Sequence, residues 1–179
     1  MAIDLHIRDV RQAEFGDLGR LMVDAYSGLA GFPTRDEQPG YYEMLAKVGA
    51  FSMRKGTRVL VAIAAGEELA GGVVYFSDMA QYGSGGSATL LRDASGIRLL
   101  AVHSRFRSAG VGKALTQACI ELARQAGHAQ VILHTTQAMQ VAWKLYENLG
   151  FVRSDDLDFS QLGLPVFGFR LALAAKPCP

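Results

Sequence analysis

The chain has 179 residues, half of them hydrophobic, with 18 basic against 17 acidic side chains and a net charge of +1. That balance argues against a nucleic-acid binder or a membrane-surface protein, and the length suits one domain, residues 1–179, with a sizeable core. Two cysteines, Cys119 and Cys178, supply no disulfide or metal framework. The opening Met1–Asp9 has no apolar leader and no run reaches membrane-spanning length, so a cytoplasmic location is expected.

Leu5 and Ile7 alternate with His6 and Arg8 and predict a short first strand. A helix follows over about Ala13–Tyr26, with Phe15, Leu18, Leu21, Met22 and Ala25 on one face and Ser27-Gly28 as its stop. Gly31–Gly40 is turn-rich, and a second helix is expected from Tyr41 to about Phe51, with Tyr42 and Leu45 inward. Thr57–Ala64 and Leu69–Phe76 read as strands joined by a hairpin turn over Ala65–Glu68. Ser77–Gly96 reads as a long connection with a glycine-rich tip at Gly83–Gly86, equally suited to an active-site lid and to a surface insertion.

The most informative stretch is Ile97–Lys113. An apolar strand, Ile97–Val102, runs into a basic turn, then Gly110 and Gly112, and an amphipathic helix begins there. Free N–H groups and the dipole at a helix start attract anions, and glycines let a phosphate approach the backbone. Arg105, Arg107 and Lys113 add charge-assisted donors, which makes this a pyrophosphate cradle. It is not a P-loop, because Arg107 and Ala114 stand where a Gly and a Ser or Thr would be needed. Nor is it a dinucleotide fingerprint, since Leu115 occupies the third small position.

The helix from the cradle is expected over about Gly110–Ala126, with Val111, Leu115, Ala118, Leu122 and Ala126 buried and Gly127 as its stop. Cys119 abuts that stripe and reads as a small core residue. A strand over Gln130–Thr136 and a helix over Ala138–Leu149 follow, the latter with Ala138, Val141, Ala142, Leu145 and Leu149 inward and Gly150 as its stop. Phe151–Arg153 and Val166–Leu173 read as two strands around a polar loop. With Gly150 as the left-handed stop, Tyr146 falls where Phe151 would pack back upon the helix. Its offset from the apolar stripe lets the hydroxyl reach a cleft.

Two motifs, Arg107-x-x-Gly110-x-Gly112 after a Leu-Ala-Val strand and Ala142-x-x-x-Tyr146-x-x-x-Gly150-Phe151, resemble those of the GNAT N-acetyltransferases. The element order, β-α-α-β-β-β-α-β-α-β-β, is also that of the family. The resemblance implies an α/β fold, with a mixed central sheet of six to seven strands and helices on both faces. It implies acetyl-CoA as co-substrate without any metal, bound by the backbone of Leu100, Ala101 and Val102 and by the turn of Arg107, Ser108, Ala109, Gly110, Val111, Gly112 and Lys113. Tyr146 would then be the general acid toward the CoA thiolate, and Val102 N–H would polarise the thioester carbonyl. The acceptor would be a primary amine on a small molecule, peptide or protein, with Phe32, Tyr41 and Tyr42 suited equally to packing and to its pocket.

The family's base, where it has one, would fall near Gly96 or Arg98, and neither can serve; its frequent Asn falls on Met139. His103 and His134 read as structural, so no base is assigned. A non-catalytic acyl-CoA sensor is the alternative, and a phosphoryl-transfer enzyme is disfavoured. No nucleic acid or membrane is expected as partner, and assembly as a homodimer stays open.

Overall fold

The computed structural model describes residues 3–174; Cys178 lies outside them. The elements run β1 (Leu5–Asp9), α1 (Phe15–Ser27), α2 (Pro39–Ala46), β2 (Thr57–Ala64), β3 (Glu68–Phe76), β4 (Ala94–Val102), α3 (Val111–Gln125), β5 (Gln130–Thr135), α4 (Gln140–Asn148), β6 (Val152–Arg153), β7 (Phe159–Gln161) and β8 (Leu164–Ala172). The strands form one mixed sheet in the order β1-β2-β3-β4-β5-β8-β6, with β7 paired to β8. Among the described residues only β4 and β5 are parallel neighbours. That pair is the one joined by a helix long enough to cross the sheet, α3.

The two faces of the sheet carry separate core halves. Leu18, Met22, Tyr42 and Leu45 of α1 and α2 pack with Val59, Val61, Val74 and Phe76 on one side. Val111, Leu115, Cys119 and Ile120 of α3 pack with Leu60, Val73, Ile97 and Leu133 on the other. This alternation of odd and even strand residues is the period-2 pattern of a sheet buried on both faces. Among the described residues no helix is long and apolar enough to cross a membrane.

Several expectations change. The mixed sheet is as expected, and among the described residues the polar tail loop adds β7 beside its seven-strand path. The second helix stops at Ala46 and continues as 3₁₀ turns through Met53. The buried row of α3 is Val111, Leu115, Cys119, Ile120 and Ala123; Ala118 and Leu122 are half-buried and Ala126 is exposed. In α4, Val141 points to solvent and Tyr146 is the buried residue. The helix row is thus rotated toward Tyr146.

The largest correction concerns Ser77–Gly96. It carries two 3₁₀ turns, Met79–Gln81 and Ala88–Leu90, and strand β4 already starts at Ala94. Met79, Tyr82 and Ala88 are buried in the α1/α2 half of the core. Gly96 permits this: a Cβ there would run into the Tyr82 ring. The glycine that looked like the end of a loop is the floor on which Tyr82 lies.

Candidate active site

β4 and β5 are in register from Ala94↔Gln130 to Ile97↔Leu133, and there the pairing stops. β4 runs on to Val102 and β5 to Thr135, so the two strands part and leave a wedge between them. The cause lies in β4. Against β3, Val74 faces Arg98 and Gly72 faces Ala101, so Leu99 and Leu100 together oppose Val73. This is a β-bulge, and Leu99 sits at φ +57, a left-handed conformation that costs a non-glycine residue roughly 1–3 kcal/mol. A bulge bends its strand and repeats a face. Arg98 and Leu99 consequently lie on the same, α1/α2-facing side.

Beyond the bulge β4 stays paired with β3, and His103 N–H donates to Ala70 C=O at 2.8 Å. Antiparallel strands alternate their bonding direction. Ala101, in register with Gly72, therefore turns its N–H and C=O to β3. Val102 turns its own into the wedge. His103 itself accepts from Arg105 N–H through Nδ1 at 3.2 Å and shapes the turn.

At the mouth of the wedge stands the start of α3. Gly110 caps it at φ +83, a conformation that favours glycine, and Ser108 before it is at φ +62. The first helical bond runs from Ala114 N–H to Gly110 C=O at 2.9 Å. The N–H groups of Val111, Gly112 and Lys113 thus precede any intrahelical acceptor. Ala109 N–H is already engaged by Phe106 C=O at 3.3 Å. A Cβ on Gly110 would meet open space, whereas one on Gly112 would approach Leu145, Val102 and Leu100 at 3.4–3.8 Å. Gly110 faces outward and Gly112 faces the wedge. Arg107 borders a small cleft with Val102, His103 and Ser104. Arg105 is directed elsewhere, into an ion pair with Glu68 at 2.8 Å.

On the α1/α2 side the wedge opens into a cavity of about 650 Å³. Tyr26, Phe32 and Tyr41 make one wall through edge-on and tilted ring contacts 5.4–6.0 Å apart. Burial pushes the Tyr41 phenol up to about 12. Tyr42 instead packs in the core and donates to Pro33 C=O at 2.8 Å.

Tyr146 reaches the same cavity from α4. The helix ends as its local sequence requires: Gly150 at φ +94, Phe151 N–H on Tyr146 C=O and Gly150 N–H on Glu147 C=O, both 3.0 Å. Phe151 then meets the Tyr146 ring edge-on at 5.9 Å. The Tyr146 hydroxyl has no hydrogen-bond partner among the described residues, and burial holds the phenol well above the ordinary tyrosine range. It is a protonated donor at neutral pH. Cys119 is fully buried with its thiol pushed up by that burial, a core residue as expected.

Sequence reading gave no cavity role to Tyr82, Arg98, Thr135 and Thr136, among others of its lining. Tyr82 lay in the supposed loop, and Arg98 stood out only as a group unable to act as a base. Thr135 and Thr136 look like an ordinary strand end, yet both hydroxyls are buried without a partner among the described residues. His134 is held between Tyr82 and Leu157 C=O, so it contributes neither base nor free donor.

Residues 20–151 match the model of the acetyltransferase (GNAT) family. Of the curated relatives, N-acetylaspartate synthetase of Danio rerio is 44% identical over 57 residues, which is 32% of this chain and 20% of that protein. The match thus spans about a fifth of that relative's length. A GNAT-family acetyltransferase structure from Staphylococcus aureus Mu50 superposes with a TM-score of 0.73 at 17% identity, covering 96% of this chain and all of the other. A Salmonella typhimurium structure holding its cofactor acetyl-CoA gives 0.66 at 18% identity, covering 98% of both chains. With the family model matching most of its length and the wedge, cap and helix order in place, the chain belongs to the GNAT acetyltransferase family.

Proposed function

We propose that the chain transfers an acetyl group from acetyl-CoA to a primary amine by direct attack on the thioester. The observation that carries this reading is the unpaired edge of β4. It leads from the free amides at the start of α3 to the Tyr146 hydroxyl, with Val102 turned into the gap. A pantetheine arm adds to such an edge as a further strand would, using backbone groups the sheet leaves open. The N–H groups of Gly110, Val111, Gly112 and Lys113, with Ser108, Arg107 and the Lys113 ammonium, suit a pyrophosphate. Leu100, Ala101 and Val102 form the edge beneath it, and Ala109 holds the turn.

Acetyl-CoA supplies the activated acyl group. Val102 N–H polarises the thioester carbonyl as negative charge grows on its oxygen. The neutral amine attacks from the aromatic cavity, and the carbon–sulfur bond breaks. Tyr146 gives its proton to the departing thiolate and regains one from solvent, while the N-acylammonium formed on the product loses one to solvent. Burial supports this role, since it keeps the phenol protonated across the working range.

The test is CoA release from acetyl-CoA over a panel of amines, run beside calorimetric CoA binding. Binding with turnover of at least one amine class supports the reading. Tight binding with no turnover would make the chain an acyl-CoA sensor, and failure to bind CoA would overturn the assignment.

A further inference from the structure

Inside the rim of the cavity, one charged group has no counter-ion among the described residues. Apart from tyrosines, its ionisable lining residues are Glu37, Arg98 and His134. Glu37 stands at the exposed rim, where its carboxylate accepts from Thr34 N–H and Oγ1 at 2.7 and 2.9 Å. Both ring nitrogens of His134 are engaged, one by Tyr82 and one by Leu157. Arg98 donates to Tyr82 C=O at 2.7 Å, and its guanidinium lies 5.7 Å from the Tyr82 ring centroid. That bond uses one of five donors. Among the described residues no carboxylate pairs with it, whereas Arg8, Arg58, Arg105, Arg153 and Arg170 each have one.

Alternation after Ile97 puts the Arg98 side chain on the cavity side, and the bulge sets Leu99 beside it. Two buried threonines line the same space. Thr135 and Thr136 are 2% and 4% exposed, and their hydroxyls have no partner among the described residues. A half-buried guanidinium with free donors and no counter-ion, set in an aromatic-walled cavity, is a site for an oxyanion. A polyamine or other cationic acceptor would be repelled there.

We propose that the acceptor is an amine that also carries a carboxylate, of the α-amino-acid kind, and that Arg98 selects it by holding that carboxylate within the cavity. This rests on the acetyltransferase reading and names its acceptor class. It also bears on the missing base. A fixed guanidinium near the acceptor nitrogen disfavours its ammonium form, so more of the amine is free to attack at a given pH.

The experiment compares each of the twenty amino acids with its amide. One arm measures kcat/KM by CoA release. The other measures the melting-temperature rise of the CoA-loaded protein with N-acetyl amino acids and with N-acetyl amino-acid amides. A charge-assisted contact predicts an advantage of about 10- to 150-fold for the free acid among the amino acids accepted. Arg98→Gln should bring that ratio to near one and Arg98→Lys should restore part of it, each variant first being checked for CoA binding. A wild-type ratio near one, or a ratio that survives Arg98→Gln, overturns the proposal. Dipeptide amides beginning with Asp or Glu carry their only carboxylate in a side chain. If they match the free acids, the acceptor is an acidic peptide end and the α-amino-acid form is overturned. Absence of turnover with every amine would count against the acetyltransferase reading alone. The melting arm would still decide this one, since no carboxylate-selective rise refutes it.

Discussion

The Tyr82 hydroxyl donates to Nδ1 of His134 at 2.9 Å, and the opposite ring nitrogen, Nε2, donates to Leu157 C=O at 2.8 Å. Two partners on opposite sides fix one neutral tautomer. Burial lowers the imidazole's affinity for a proton, and the ring packs edge-on against Phe159 at 5.2 Å. His134 is thereby a brace that ties the Ser77–Gly96 segment to β5 and to the turn before β7.

Stability should therefore depend on pH through His134. Its folded affinity for protons lies below the unfolded one, so the unfolded chain takes up more protons as pH falls through the ordinary imidazole range. The contribution is fully present above about pH 7, and is lost as pH falls through about 6.5 toward the folded value. Melting temperatures from pH 8 to 5 should show this slope in the wild type and a flatter one in His134→Gln. Equal slopes would refute the brace. Tyr82→Phe should cost about 1–3 kcal/mol, because it orphans a buried ring nitrogen.

The Ser77–Gly96 segment should exchange amide hydrogens slowly at Tyr82 and Ala88, which are buried, and fast only around Gly83–Gly86. Tyr82→Ala should destabilise by about 3–5 kcal/mol, as large-to-small changes of buried aromatics do. Uniformly fast exchange across the segment would contradict the packing seen.

Gly110 and Gly112 should fail in different ways when changed. Gly110→Ala places a side chain at φ +83, so the cap should lose about 1–2 kcal/mol and CoA affinity should fall with it. Gly112→Val adds bulk toward Leu145 and Val102 at the wedge mouth, and should weaken CoA more than it lowers the melting temperature. Arg107→Ala should weaken CoA by about 1.5–3 kcal/mol through loss of a charge-assisted contact. Wild-type CoA affinity in both glycine variants would remove the α3 start from the binding site.

Tyr146→Phe keeps the ring against Phe151 and removes only the unbonded hydroxyl, so fold and CoA affinity should change little. Loss of a general acid typically costs ~10²–10⁴ in rate, and kcat should drop within that range. Because the acid acts when protonated, wild-type activity should fall on the alkaline side. Burial moves that fall well above the ordinary tyrosine value of about 10, and the Phe variant should lack it. A Phe variant with wild-type kcat would leave Tyr146 a core residue and the thiolate leaving unaided.

Features governed by near neighbours were legible in the sequence. The end of α4 follows from Gly150 and the residues around it, and both Schellman bonds form between positions three and five apart. The start of α3, its glycine cap and its free amides follow likewise from Arg107–Lys113. The apolar runs Thr57–Ala64 and Gln130–Thr136 form strands as expected, the second ending at Thr135, because a short β-branched apolar run marks a strand buried on both faces. What only the tertiary structure decided depends on partners far apart in the chain. Arg105 turns to Glu68, 37 positions away, instead of to the cradle. Tyr82 finds His134 across 52 positions and converts a supposed loop into packed structure. The bulge at Leu99 exists only against β3, and it sets Leu99 on the same face as Arg98; nothing local in Ile97–Leu100 marks it, because a bulge is a mismatch between two strands.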